Sequence, residues 1–129
     1  MRIDHYSLYT IDLEGMKRFY EGYFQAVSGS MYHNPKTGLR TFFLAFPDGG
    51  RLEIMSVPGL ATGKEEGPVC GYAHLAFGVG GRDAVDALTE RLRADGIRVK
   101  SGPRTTGDGY YESCVFDPDG NQIELVADA

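Results

Sequence analysis

The chain has 129 residues, 42% apolar and 24% charged, which places it with folded globular chains rather than disordered ones. Thirteen Lys and Arg against eighteen Asp and Glu give −5, with no basic cluster longer than two residues, so neither nucleic acid nor an anionic membrane is an expected partner. No apolar run approaches the roughly 20 residues of a bilayer span, the opening Met-Arg-Ile-Asp-His has no export-type apolar segment, and Cys70 and Cys114 form no Cys-x-x-Cys pair; a soluble, reduced, cytoplasmic chain is expected.

In chain order, His5-Tyr6-Ser7-Leu8-Tyr9 alternates as a strand. A helix follows over residues 13–24, N-capped by Asp12, with Leu13, Met16, Phe19, Tyr20 and Tyr23 on one face. Residues 28–39 read as a loop with room for one short strand near 30–33, and 40–46 with 51–57 read as a hairpin. The stretch 58–70, rich in Gly, Pro and charge, reads as a linker. A second strand pattern opens at His74, and a second helix spans 82–95 with Val85, Leu88 and Leu92 inward and Gly96 at its left-handed end. Residues 98–100, 111–116 and 121–127 complete the set as strands, with room for one more short strand near 97–103.

The second half repeats the first. Pro47-Asp48-Gly49-Gly50-Arg51-Leu52-Glu53-Ile54-Met55 aligns without a gap on Pro118-Asp119-Gly120-Asn121-Gln122-Ile123-Glu124-Leu125-Val126. His5-Tyr6-Ser7-Leu8-Tyr9 aligns on His74-Leu75-Ala76-Phe77-Gly78 at nearly the same offset.

Strand side chains alternate faces. His5 therefore lies opposite Tyr6 and Leu8, Glu53 opposite Leu52 and Ile54, His74 opposite Leu75 and Phe77, and Glu124 opposite Ile123 and Leu125. The aliphatic faces are expected to pack on the helices, leaving the His and Glu faces to line a concavity. A lone strand His or a lone Glu after a turn is ordinarily structural; recurrence of both at matched positions points instead to a metal site of two imidazoles and two carboxylates. His33 has no counterpart in the second half and is left out of that set. Neither cysteine has an adjacent basic residue to stabilise a thiolate, so both are read as structural.

At these residues the sequence resembles the vicinal-oxygen-chelate superfamily, and within it bacterial glyoxalase I (lactoylglutathione lyase). The resemblance rests on His5, Arg51-Leu52-Glu53-Ile54, Gly71-Tyr72-Ala73-His74-Leu75-Ala76-Phe77 and Asp117-Pro118-Asp119-Gly120-Asn121-Gln122-Ile123-Glu124-Leu125. It implies an α+β fold, one domain over residues 1–129 made of two tandem βαβββ modules, about 1–57 and 71–129, that form a curved mixed-sheet cup. Other members commonly lack the first Glu or replace it with Gln, so Glu53 favours glyoxalase I. The resemblance implies one divalent ion per site, nickel or cobalt before zinc, held by His5, Glu53, His74 and Glu124. It also implies isomerisation of the hemithioacetal of an α-oxoaldehyde such as methylglyoxal through a metal-stabilised enediolate, with Glu124 as the base and Glu53 its quasi-symmetric counterpart. A homodimer that pairs the first half of one chain with the second half of its mate follows from the same resemblance.

One departure bears on the thiol. Glutathione-using members carry an Arg four residues after the first His and an Asn four residues after the first Glu; here those positions are Tyr9 and Val57. Arg104, expected in a mobile Gly-bearing loop over 102–111, is the candidate for an anionic substrate tail, against the plainer role of a solvated loop charge. Another reaction of the superfamily, an epimerase or a thiol transferase to a small antibiotic, is the enzymatic alternative, and a module that sequesters a small ligand is the non-enzymatic one.

Overall fold

The computed structural model describes residues 1–63 and 67–129. Its contacts divide them into two compact units, Met1–Gly63 and the remainder. The expected linker over 58–70 includes residues 64–66, which lie outside the described residues.

The first unit runs β1 (Tyr6–Tyr9), α1 (Leu13–Phe24), β2 (Val27–Ser28), β3 (Tyr32–His33), β4 (Arg40–Ala45) and β5 (Arg51–Ser56). Its sheet order is β1-β5-β4-β2, with β3 also on β4; β1 runs parallel to β5 and the other pairs are antiparallel. Helix α1 starts where expected because the Asp12 carboxylate accepts the Gly15 N–H at 2.9 Å, satisfying a donor that the first turn leaves without a carbonyl. It buries Leu13, Met16, Phe19, Tyr20 and Phe24. The sheet answers with Phe42, Leu44, Leu52 and Ile54, all at 5% exposure or less. Tyr23 is only half-buried, and Phe24 takes its expected place. The loop expected over 28–39 is interrupted by β2 and β3, so His33 sits in a two-residue strand beside Arg40 rather than in a loop.

The second unit runs β6 (His74–Gly80), α2 (Arg82–Ala94), β7 (Val99–Thr105), β8 (Tyr111–Phe116) and β9 (Gln122–Ala127), in sheet order β6-β9-β8-β7. Again the first strand runs parallel to the last, and the others are antiparallel. Val85 and Leu92 of α2 are fully buried with Val115, Ile123 and Leu125 of the sheet, while Leu88 is half-buried. Thr89 is fully buried too; its hydroxyl bonds the Val85 carbonyl and the Ser113 hydroxyl, both at 2.6 Å, so the polar pair carries its own partners into the core. Gly96 takes the expected left-handed φ of 81° just past the helix.

Both units thus follow one plan, a helix packed on one face of a mixed sheet. The hairpin turns repeat in detail: Phe46 N–H bonds the Gly50 carbonyl at 2.8 Å, and Asp117 N–H bonds the Asn121 carbonyl at 2.9 Å. The fold is α+β with two modules, as the residues led us to expect. The first carries one more short strand than a strict βαβββ unit.

Arg104 requires a correction. It stands in strand β7, opposite Glu112, and not in a mobile loop. The strand carries Pro103 because β7 is an edge strand, where a proline that donates no hydrogen bond is tolerated. The register slips at a bulge between Ser101 and Arg104. There Gly102 has φ 81°, and a Cβ on it would lie 2.6 Å from the Glu112 carbonyl oxygen.

Candidate metal and substrate site

Each unit presents a polar sheet face opposite its helix. In the first, β1 and β5 pair Ser7 with Glu53, and β4 adds Phe43 opposite Glu53. The Ser7 hydroxyl donates to Glu53 Oε1 at 3.4 Å. His5 lies one residue before β1. Its Nδ1 bonds Asp4 Oδ2 at 2.9 Å, and its ring meets Phe43 edge-on with centroids 5.2 Å apart. The His5 side chain keeps 35% of its surface open.

In the second unit, β6 and β9 pair His74 with Gln122 and Ala76 with Glu124. His74 Nε2 lies 3.1 Å from Glu124 Oε2, and the two side chains are 39% and 21% exposed. Adjacent ligands of an octahedral ion with bonds of about 2.1 Å stand about 3 Å apart. Two donor atoms at this spacing, one nitrogen and one oxygen, on a solvent-reached polar face therefore fit a divalent ion's coordination edge. Among the described residues, no three or more His, Cys, Asp or Glu side chains gather for an ion within either unit. Each unit taken by itself offers one His and one Glu.

Glu112, Cys114, Lys100 and Arg104 share the face with His74 and Glu124. Glu112 stands opposite Val126, in step with Glu124 on β9. Burial and then the charge of Glu124 push its carboxyl up, while Arg104 opposite it on β7 pulls the other way. Cys114 is paired with Glu124 and buried, and burial pushes its thiol up, which agrees with an unreactive cysteine. Cys70, in contrast, is exposed rather than structural. Lys100 reaches across the sheet to donate to Gln122 Oε1 at 3.0 Å. Glu112 and Lys100 were not among the residues singled out from the sequence. The visible signal was parity: Glu112, Cys114 and Phe116 alternate against the buried Ser113 and Val115.

The turn before β9 is built by Asp117. One of its oxygens accepts the Asp119 and Asn121 backbone N–H groups at 3.0 and 2.9 Å, and the other accepts the Asn121 amide at 2.6 Å. Burial pushes the Asp117 carboxyl up, and those bonds oppose the shift. The turn sets where β9 begins, and with it the face on which Glu124 stands.

Comparison with known proteins agrees with the two-module fold. The family described as the Glyoxalase/Bleomycin resistance protein/Dioxygenase superfamily matches residues 2–125. The chain belongs to this superfamily. Within it, the chain is 32% identical over 130 residues to the uncharacterized protein YqjT of Bacillus subtilis, covering 95% of this chain and 96% of that one. Two solved structures share the fold at lower identity. A trypanothione-dependent glyoxalase I of Leishmania major superposes with TM-score 0.80 at 23% identity, over 98% of this chain and 86% of its own. The fosfomycin resistance protein FosX of Listeria monocytogenes, crystallised with Mn(II) and sulfate, superposes with TM-score 0.76 at 23% identity, over 99% and 93%. No helix among the described residues is long and apolar enough to cross a membrane.

Proposed function

We propose that this member of the superfamily is a metal-dependent, glyoxalase-I-like enzyme. Its substrate is the hemithioacetal of an α-oxoaldehyde such as methylglyoxal, and its product the 2-hydroxyacyl thioester. The observation that carries the reading is the His74–Glu124 pair at 3.1 Å on a polar face, matched in the first unit by His5 and Glu53 at the aligned positions. His5, Glu53, His74 and Glu124 would hold one divalent ion, nickel or cobalt before zinc. Such an ion, when bound, supplies Lewis acidity for negative charge developing on the substrate oxygens.

The isomerisation moves the proton on the carbon bearing sulfur to the neighbouring carbon, and the hydroxyl proton of that first carbon to the former carbonyl oxygen; the carbon-to-carbon transfer needs a base that takes the proton and returns it. Glu124 has that role, and Glu53 is its counterpart. Glu112 sits beside Glu124 as a carboxyl already pushed toward its neutral form. Arg104 and Lys100 line the same face and suit a substrate with an anionic tail. With Tyr9 and Val57 at the usual glutathione-anchoring positions, that tail need not be glutathione's.

A unit taken alone does not complete the ligand set, and its complement could come from the same chain or from a mate; the resemblance to bacterial glyoxalase I favours a homodimer. His5 and Glu53 of one chain would meet His74 and Glu124 of its mate, giving two sites per dimer. The test is turnover of methylglyoxal mixed with a panel of thiols, using protein reconstituted with nickel, cobalt or zinc. Conversion of at least one hemithioacetal is expected, and none by any reconstituted form would overturn the reading. A second reading has its own observation. The two cations Lys100 and Arg104 share the face with His74 and Glu124, and FosX shares the fold, so loss of fosfomycin in the same reconstituted samples would favour antibiotic modification.

A further inference from the structure

The carboxylate of Asp4, one residue before His5, collects three donors. Its Oδ2 accepts from His5 Nδ1 at 2.9 Å and from Arg51 Nη2 at 2.6 Å, and its Oδ1 lies 2.9 Å from Arg2 Nη2. Arg51 is held in turn, with its guanidinium carbon 4.9 Å from the centroid of the Phe43 ring. The same Phe43 ring meets His5 at 5.2 Å, with the planes 79° apart. His5 is therefore bounded by Asp4 at one nitrogen and by Phe43 at the ring, and Arg51 ties these two neighbours together. Flanked by the guanidinium groups of Arg51 and Arg2, the Asp4 carboxylate offers His5 only acceptor oxygens. The two halves differ here: His74 turns its Nε2 to Glu124, and among the described residues no carboxylate stands at its Nδ1.

A neutral imidazole carries one N–H, and the group that accepts it decides which nitrogen keeps a lone pair. An acceptor fixed at Nδ1 places the hydrogen there and leaves Nε2 as the donor atom, as the partners of metal-bound histidines commonly do. We infer that Asp4 is a positioning residue for His5, holding the ring in the Nδ1–H tautomer so that Nε2 is the atom offered to a divalent ion, with Arg51 and Arg2 fixing Asp4. The inference rests on the proposed metal site for its purpose, but the tautomer it names is a property of the metal-free protein.

The test uses the full-length protein in two measurements. Nitrogen-15 NMR of the His5 side chain, without metal and with the ring neutral, is expected to show the Nδ1–H tautomer in the wild type. In Asp4→Ala the tautomer should change toward Nε2–H, and in Asp4→Asn, whose amide oxygen can still accept, it should be largely kept. An Nε2–H ring in the wild type, or a tautomer indifferent to Asp4→Ala, overturns the proposal. Nickel affinity is the second measurement. Asp4→Ala is expected to weaken it by about 10- to 100-fold, with Asp4→Glu recovering part of the loss. A tautomer change with wild-type affinity overturns the positioning role. If no variant and no wild type binds nickel, cobalt or zinc while the tautomer responds as expected, the metal reading fails and the Asp4–His5 arrangement stands.

Discussion

Glu124 and Glu112 are two carboxylates on one face with different expected roles. Replacing Glu124 with Gln removes the only atom type that can accept the substrate's proton while preserving shape. Turnover should fall by about 100- to 10,000-fold, and exchange of solvent deuterium into substrate should stop while the variant stays folded. Retention of most of the turnover would move the base to Glu53. Glu112 is expected to lower stability instead. Its carboxyl is pushed above the ordinary 4.5 by burial and by Glu124, so the native state holds that proton more tightly than the unfolded chain does. Stability then falls as pH rises through the window above 4.5. In metal-free protein, Glu112→Gln should therefore raise the melting midpoint at neutral pH, and the gain should fade once the pH is low enough for both states to be protonated. Because the group is partly open to water the effect is on the order of 0.5 kcal/mol or less. A gain that persists undiminished in acid would contradict this cause.

The helices and long strands were legible because their side chains alternate or repeat over several residues and because caps mark their ends. Asp12 caps α1 as expected, and Asp12→Ala should cost about 1 kcal/mol by chemical denaturation, while a loss of a few tenths or less would show the cap is replaceable. Ile54 and Leu125 stand at aligned positions with no exposed surface, one in each unit. Truncating either to Ala should destabilise by about 2–5 kcal/mol. What was not legible follows from short or interrupted patterns. The two-residue strand β2 leaves no alternation to detect, whereas β3 falls within the short strand allowed near 30–33. The Gly-bearing run after Pro103 hid the end of β7, which continues to Thr105, and so put Arg104 in a loop. Thr89 and Ser113 satisfy each other inside the core, a pairing visible only once helix and sheet are packed. The candidate site was read from one signal, the repeat, which marked His5, Glu53, His74 and Glu124 together; of these the structure pairs His74 with Glu124. Lys100, Glu112 and Asp4 have no such echo and needed the register of the sheets.

At the scale of the whole molecule, the superfamily sets the two-module plan, and the residues of this chain set what each module offers. Each gives one His and one Glu, so the proposed site would need both a first and a second module. Mixing an inactive Glu53→Ala chain with an inactive His74→Ala chain separates the two ways of supplying them. If the site is shared between chains, subunit exchange rebuilds intact sites and recovers part of the activity; if it lies within one chain, every mixture stays inactive. Prior to that question stands the ion itself. The most direct measurement is the metal content of wild-type, His5→Ala and His74→Ala protein after equilibration with nickel and removal of the excess. We expect about one ion per chain in the wild type and loss of it in both variants, whereas stoichiometry unchanged by either substitution would contradict a site built from one His of each module.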